Sequence, residues 1–545
     1  SYAHVNSSFQ FRKGTYWQVD GNYNLDIPNI TKDEFNHSLR TGFELRFYEA
    51  RRHSNSNPWD GNPFVDVYTE EWGGNFYAKT ISKETAQETY DFTSKGYFPF
   101  RASAYVQDQI TYKGIIISPG LRFDMFDPQS IYRVNTNSSG KFISIEEHNT
   151  DLFAEVSPKI QVSPRLNISY PITEASFLSI AYGICFKMPE IQYLYDNFNK
   201  YLLRGNELLG EPNMEAQRTN QYQIAYSNRL TDQFSLDITA YYRDIYNQLG
   251  IAYYEAVPDA FSQYAVADYG NAKGVEFQLR KDSDLRNGDP LSFRLDYTLG
   301  YITGTSANVT SNYLRSIDEY TEKYTVPLVE YPLPQDIRHR ANASVTYQTD
   351  RHGLFAIGDF YPLEMSYLTL TGSFSSGSPY TPLNGSGYAI AEPYSERQPS
   401  VWNFSLKFSK TFLLADIFGE SMGNTSLEIF FDVYNLFNFN EAIGFYGRTG
   451  DPIDDGASFD YRIGNFSAQP FYKQADFLIA ETVSSIQYNR YGDRLYSNDA
   501  DLDGNGMVSQ DEKLRSYEKW LEDRIATRGN FQQPRTVYFG FKVDF

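Results

Sequence analysis

The segment RTVYFGFKVDF at 535–545 sets Val537, Phe539, Phe541, Val543 and Phe545 on one side of an extended chain. Thr536, Tyr538, Gly540, Lys542 and Asp544 fall on the other. A strand with this pattern needs an apolar surround on one face and water on the other, because a lysine and an aspartate turned into a dry core would be costly. The alternation recurs. In GIIISPGLRFDM, Ile115, Ile117, Leu121, Phe123 and Met125 oppose Ile116, Ser118, Gly120, Arg122 and Asp124. In FSLDITAYYRD, Phe234, Leu236, Ile238, Ala240 and Tyr242 oppose Ser235, Asp237, Thr239, Tyr241 and Arg243. VWNFSLKFSK sets Trp402, Phe404, Leu406 and Phe408 against Asn403, Ser405, Lys407 and Ser409. Each segment is about ten residues long, the length a tilted strand needs to cross a bilayer. About fifteen or sixteen such segments are legible.

Composition fits the same reading. Aromatic residues make up 17% of the chain, with 46 Tyr and 41 Phe, against only 41% hydrophobic residues overall. Aromatic girdles around a band with a polar interior have this signature. No run of about 18 apolar residues occurs, which excludes transmembrane helices. A net charge of −20 argues against nucleic acid as a partner, since phosphate needs basic patches. The single cysteine, Cys185, excludes an intramolecular disulfide and is read as an inert small residue. The opening SYAHVNSSFQFRKG lacks a charged n-region and an apolar h-region. The reading is therefore a processed chain or the later part of a longer one. No catalytic triad, acid/base carboxylate pair or phosphate loop stands out, so no enzyme is expected.

Connections alternate in length. Lys113-Gly114, PITE at 171–174 and RLTD at 229–232 are short. Polar stretches near 127–157, 188–216, 247–268, 305–336, 379–399 and 439–533 are long. Short periplasmic turns and long outer loops are the habit of outer-membrane barrels. On this scheme the final strand descends to the periplasm, and 439–533 is an extracellular insertion. The connection at 350–365 is longer than the scheme wants, and 53–97 resists assignment.

Within that insertion, DLDGNGMVSQDE at 501–512 matches a calcium loop. Ligands are expected at positions 1, 3, 5, 7, 9 and 12, with glycine at 6 for the sharp turn. They fall on Asp501, Asp503, Asn505, the Met507 carbonyl, Ser509 and a bidentate Glu512, with Gly506 at the turn and Val508 as apolar anchor. Such oxygen donors suit calcium better than zinc or magnesium. Leu514, Tyr517, Leu521 and Ile525 follow at helical spacing. Calcium is expected to order the insertion as a structural lid, with a gating role as the alternative. The acidic stretch with Asp451, Asp454, Asp455 and Asp460 has no ligand spacing and reads as a solvated turn. Arg338, His339 and Arg340 read as charges lining a lumen or its rim. Aromatic loop clusters at 191–202, 253–269 and 439–447 would either grip a sugar or peptide or pack loops together.

Several stretches resemble the barrel of TonB-dependent outer-membrane transporters. They are 102–128, 163–195, DYGNAKGVEFQLRK, DIRHRANASVTY, FFDVYNLFNFNEA and PRTVYFGFKVDF. The likeness is nearest to the Bacteroidetes-type, SusC-related receptors with a carboxypeptidase-regulatory-like extension. It implies an all-β transmembrane antiparallel barrel of about 22 strands when complete, with 1–545 as the barrel portion. It further implies an N-terminal plug and a Ton box, neither found in this chain, and hence an upstream segment or companion chain. Energised uptake of a peptide, glycan or siderophore-like substrate would follow. The implied partners are the TonB complex, outer-membrane lipid and lipopolysaccharide, and a surface lipoprotein. Phe545 resembles the C-terminal aromatic assembly signal of such barrels.

Overall fold

The computed structural model describes residues 9–27, 35–55, 69–71, 80–81, 88–89, 96–133, 142–143, 153–196, 208–254, 256–257, 261–308, 329–351, 357, 361–383, 389–445, 452, 481–482, 503–509, 512 and 531–544. Fifteen strands of nine or more residues dominate them. They are β1 (Phe9–Ile27), β2 (Asn36–Asn55), β3 (Phe100–Tyr112), β4 (Ile115–Asp127), β5 (Lys159–Thr173), β6 (Ser176–Lys187), β7 (Gln217–Arg229) and β8 (Phe234–Tyr254). The remainder are β9 (Phe261–Lys281), β10 (Leu291–Gly304), β11 (His339–Gln348), β12 (Ser366–Ser375), β13 (Val401–Leu413), β14 (Ser426–Tyr434) and β15 (Thr536–Asp544). Among the described residues no helix is long and apolar enough to cross a membrane, which leaves crossing by strands open.

Two units divide the chain. The first comprises Ser1–Asn228, Ile238–Gly274 and Thr303–Glu330. In it, β1 to β7 form consecutive antiparallel pairs. Their register aligns like with like: Ile110, Ile117, Ile168, Ile180 and Ile224 stand opposite one another across five strands. Three residues along, on the opposite face, Gln107, Gly120, Arg165, Gly183 and Gln221 make a second row. A one-residue slip of any strand would exchange these rows, so the alternation itself pins the register.

The second unit comprises Arg229–Asp237, Val275–Ile302 and Tyr331–Phe545. Here β10 to β15 pair in order. Phe293, Val345, Leu370, Leu406, Val433 and Val537 align as one apolar row. Arg294, Ser344, Thr371 and Ser405 align on the other face. Much of the described apolar side is open: Phe539 and Phe541 are 73% and 71% exposed and, in the first unit, Trp17 is 82% exposed, while Val433 is buried at 4%. Water on such rows would forfeit roughly 25 cal/mol per Å² of apolar surface. A lipid surround removes that cost.

The tight turn at Lys113-Gly114 has both residues at positive φ, +47° and +83°. That is the mirror-image turn whose twist matches its strands. The connection expected over 247–268 is much shorter. β8 runs to Tyr254 and β9 starts at Phe261. Polarity of the side chains hid this extension, because beyond a bilayer a strand no longer needs an apolar face. Flanking the extension, Asp244 accepts from the hydroxyls of Tyr242 (2.8 Å) and Tyr269 (2.7 Å) and from the Asn271 amide (3.0 Å). Likewise the 379–399 connection contains a small ladder, Pro379–Tyr380 against Glu396–Arg397. Most of 53–97, the helix expected after the calcium loop, and Asp451, Asp454, Asp455 and Asp460 lie outside the described residues.

Candidate functional site

Among the described residues, each unit carries a cavity on the polar face of its strands. In the first, a cavity of about 510 Å³ is lined by Gln107, Gln109, Ser118, Arg165, Asn167 and Gln221, among others. Cys185 belongs to this lining, a free thiol 4.0 Å from the Arg165 guanidinium. In the second unit a cavity of about 380 Å³ is lined by Arg294, Asp296, Asn342, Thr371, Asn403 and Ser405, among others. Both are built from the period-two polar rows, so their composition follows directly from the strand register. Pairs two residues apart reinforce the pattern: Arg122 and Arg294 donate to Asp124 and Asp296, each at 2.8 Å. These linings offer amide, hydroxyl and guanidinium groups to a polar solute. Among the described residues they contain no nucleophile–base arrangement.

At the start of β11 stands Asp336, fully buried, which sequence reasoning passed over. Its Oδ1 accepts from the Ile302 amide at 3.0 Å, and its Oδ2 from Arg338 at 2.9 Å and from Arg397. Arg397 also donates to the Asp336 carbonyl at 2.7 Å. Arg338 in turn lies over the Tyr301 ring, 3.9 Å from its centroid. Arg397 thus ties the 379–399 connection to the strand base, and Arg338 shares the same carboxylate. His339 bonds the Tyr297 hydroxyl at 2.9 Å.

The aromatic cluster at 191–202 resolves in favour of packing where it is described. Helix α1 (Ile191–Tyr195) buries Leu194 and Tyr195. Tyr195 stacks on Tyr97 with ring centroids 3.8 Å apart and donates to the Pro128 carbonyl at 2.6 Å. Burial raises the Tyr195 phenol well above its ordinary range. Gly210 packs so closely on this helix that a Cβ would lie 2.5 Å from the Leu194 carbonyl oxygen.

Of the calcium-loop residues, Asp503, Asn505, Met507, Ser509 and Glu512 are described, and Asp501 lies outside. Gly504 and Gly506 take positive φ of +70° and +80°. The Asn505 amide donates to Asp503 Oδ1 at 3.0 Å, and the Met507 amide to Asn505 Oδ1 at 2.7 Å. Ser509 and Glu512 bond reciprocally. The Ser509 amide donates to Glu512 Oε2 at 2.8 Å, and the Glu512 amide to Ser509 Oγ at 3.3 Å. This is the capping-box arrangement that starts a helix. Glu512 is buried, with its other oxygen accepting from the Asp503 amide at 3.3 Å. Met507–Val508 pairs with Glu481–Thr482. The donors are hard oxygens, and Gly504 and Gly506 relieve a tight turn. Among the described residues no group of three or more His, Cys, Asp or Glu side chains gathers as a metal cluster. Phe545 lies outside the described residues.

A lipid-facing apolar sheet face backed by a charged polar one defines a membrane β-protein. Residues 1–436 match the family described as TonB dependent receptor-like, beta-barrel. The chain belongs to that family, whose members are receptors and transporters of the Gram-negative outer membrane rather than enzymes. Among solved structures it is similar to the ferric-catecholate import receptor Fiu of Escherichia coli K12, at 15% identity and a TM-score of 0.43, over 79% of this chain and 51% of that one. It is similar to the outer membrane transporter YddB of Escherichia coli at 11% identity and a TM-score of 0.48, over 80% and 51%. A ferric enterobactin receptor of Pseudomonas aeruginosa matches at 15% identity and a TM-score of 0.46, over 78% and 50%. The chain spans about half the length of these proteins. No curated protein matches.

Proposed function

We propose that this chain is the wall of a TonB-dependent uptake system for a substrate too large or too scarce for diffusion channels. The observation that carries the reading is the family match over residues 1–436, with charged polar rows on one sheet face. On this reading the rows line the path of a siderophore-like, peptide or glycan substrate. A plug, held upstream or on a companion chain, closes the path and carries the contact to the TonB complex. The SusC-related subtype and a capping surface lipoprotein remain part of the proposal, as does the assembly role of Phe545. Short turns face the periplasm, and 439–533 lies outside the cell.

Calcium is proposed as a structural ion of that insertion, held by Asp501, Asp503, Asn505, the Met507 carbonyl, Ser509 and Glu512. Bound calcium would supply folding energy to this long insertion. Even a millimolar extracellular-grade site would be filled outside the cell.

The test is growth and uptake by the parent cell on candidate substrates, with this chain deleted or the TonB complex inactivated. Equal loss in both strains supports the reading. Uptake that survives TonB inactivation points to a passive channel. Surface binding of a partner with no uptake at all points to an adhesion scaffold.

A further inference from the structure

At the short-turn end of the second unit, two connections carry apolar side chains that the strand pattern does not require. The connection 414–425 opens with a one-turn helix, α2 (Leu414–Phe418). Ile417 and Phe418 are 56% and 63% exposed there, and Met422 follows as another exposed apolar residue. The connection 349–365 adds exposed Ile357 and Leu363. Arg351 joins the two by an ion pair with Asp416 at 3.0 Å. Both connections sit at the same strand ends, since Gln348 stands opposite Tyr367, Ser366 opposite Lys410 and Leu413 opposite Ser426.

Lys410 locates this patch relative to the bilayer. It shares a cross-strand row with Ile429 and Phe541, so it occupies the lipid-facing side of β13. Its ammonium bends to the Glu364 carbonyl at 2.9 Å and lies 5.0 Å from the Phe412 ring centroid. Lys410 is only 9% exposed. The 361–366 segment therefore crosses the lipid-facing side just below the apolar rows, where a lysine folds its charge toward polar groups. Exposed Ile357, Leu363, Ile417, Phe418 and Met422 follow beyond the last strand residues.

We propose that the described parts of these connections, 361–365 with Ile357 and 414–425, form an amphipathic cuff seated in the phospholipid headgroup–acyl boundary. Ile417, Phe418 and Met422 dip into the boundary, and the Arg351–Asp416 pair lies on its aqueous side. The inference rests on the outer-membrane reading of the strands. A short helix with an apolar and a charged face takes this position in an interface. Phospholipid is the favoured occupant because the patch is continuous with a face already turned to lipid.

The test uses the full chain, with Cys185→Ser as background, in vesicles of phosphatidylethanolamine and phosphatidylglycerol. Single nitroxide labels are placed at Phe418→Cys and Met422→Cys. References are Phe541→Cys for lipid and Glu392→Cys for water. Collision rates with oxygen and with a water-soluble nickel chelate are compared. The cuff requires the oxygen-to-nickel ratio at positions 418 and 422 to shift from the 392 value toward the 541 value. A 541 label in lipid with 418 and 422 both at the aqueous value overturns the cuff alone. An aqueous value at 541 as well overturns the lipid-facing reading on which it rests.

Discussion

Arg397 donates to both the carboxylate and the backbone carbonyl of Asp336, a residue with no solvent exposure. The clasp joins positions 61 apart in the chain and holds a connection ladder to the base of a strand. Asp336→Ala would leave Arg338 and Arg397 without their shared acceptor. Removing one partner of a buried ion pair costs about 3–5 kcal/mol. The lower end is expected, because both arginines keep partial contact with water. Thermal unfolding of the variant in detergent measures the loss. A change under about 0.5 kcal/mol, the range of ordinary surface substitutions, would contradict the clasp.

Gly540 lies directly opposite Phe430, and a Cβ at Gly540 would come within 2.4 Å of that ring's Cζ. The ring covers the glycine on the polar side of the sheet. Gly540→Ala must displace the ring, at the cost of overpacking, about 1–3 kcal/mol. The double variant Gly540→Ala with Phe430→Leu is expected to recover part of the loss. Equal stability of the single variant and the parent would show that the ring yields freely.

Asp289 closes the turn before β10. Lys281 holds its carboxyl below the usual carboxylate range, helped by the Leu291 amide and Gln233. A depressed folded value means the contribution is present above the unfolded value of about 3.9 and is lost as pH falls through the lower folded value. Protection of the Leu291 amide, relative to its intrinsic exchange rate at each pH, should therefore fall in acid below that point. Asp289→Asn should remove this step, and an identical acid profile for both proteins would contradict the assignment.

Tyr195 works in the opposite pH direction. Burial holds its phenol neutral, while the unfolded phenol ionises near pH ~10. The unfolded chain then binds fewer protons than the folded one, and stability falls as pH rises above that value. Tyr195→Phe should lose about 1 kcal/mol at neutral pH, from its hydrogen bond to Pro128, and should show a weaker alkaline decline.

The strands were legible because one physical requirement repeats along them. Val537, Phe539 and Phe541 need lipid while Tyr538 and Lys542 need water, and a period of two is the whole message. The extension of β8 to Tyr254 and the early start of β9 at Phe261 were not legible, since beyond the bilayer a strand no longer carries an apolar alternation. Asp336 escaped notice for a related reason: a buried carboxylate is identified by its partners, and Arg397 is remote in sequence. The motif reading of 501–512 named oxygen donors by their spacing, and Asp501 among them lies outside the described residues. The reciprocal Ser509–Glu512 bonds follow that motif, while the ion itself is a proposal.

Calcium removal provides a separate prediction. Chelation, or Glu512→Gln, should raise protease sensitivity within 440–530 and leave the strands intact. An unchanged cleavage pattern would sink the structural role of the ion.

The most direct measurement is the intact mass and N-terminal sequence of the native protein from the outer membrane, together with any chain that co-purifies. The account expects a plug with a Ton box, either upstream of Ser1 or on a companion chain. A native chain that starts at Ser1, with no companion and steady open conductance in a bilayer, would contradict energised uptake.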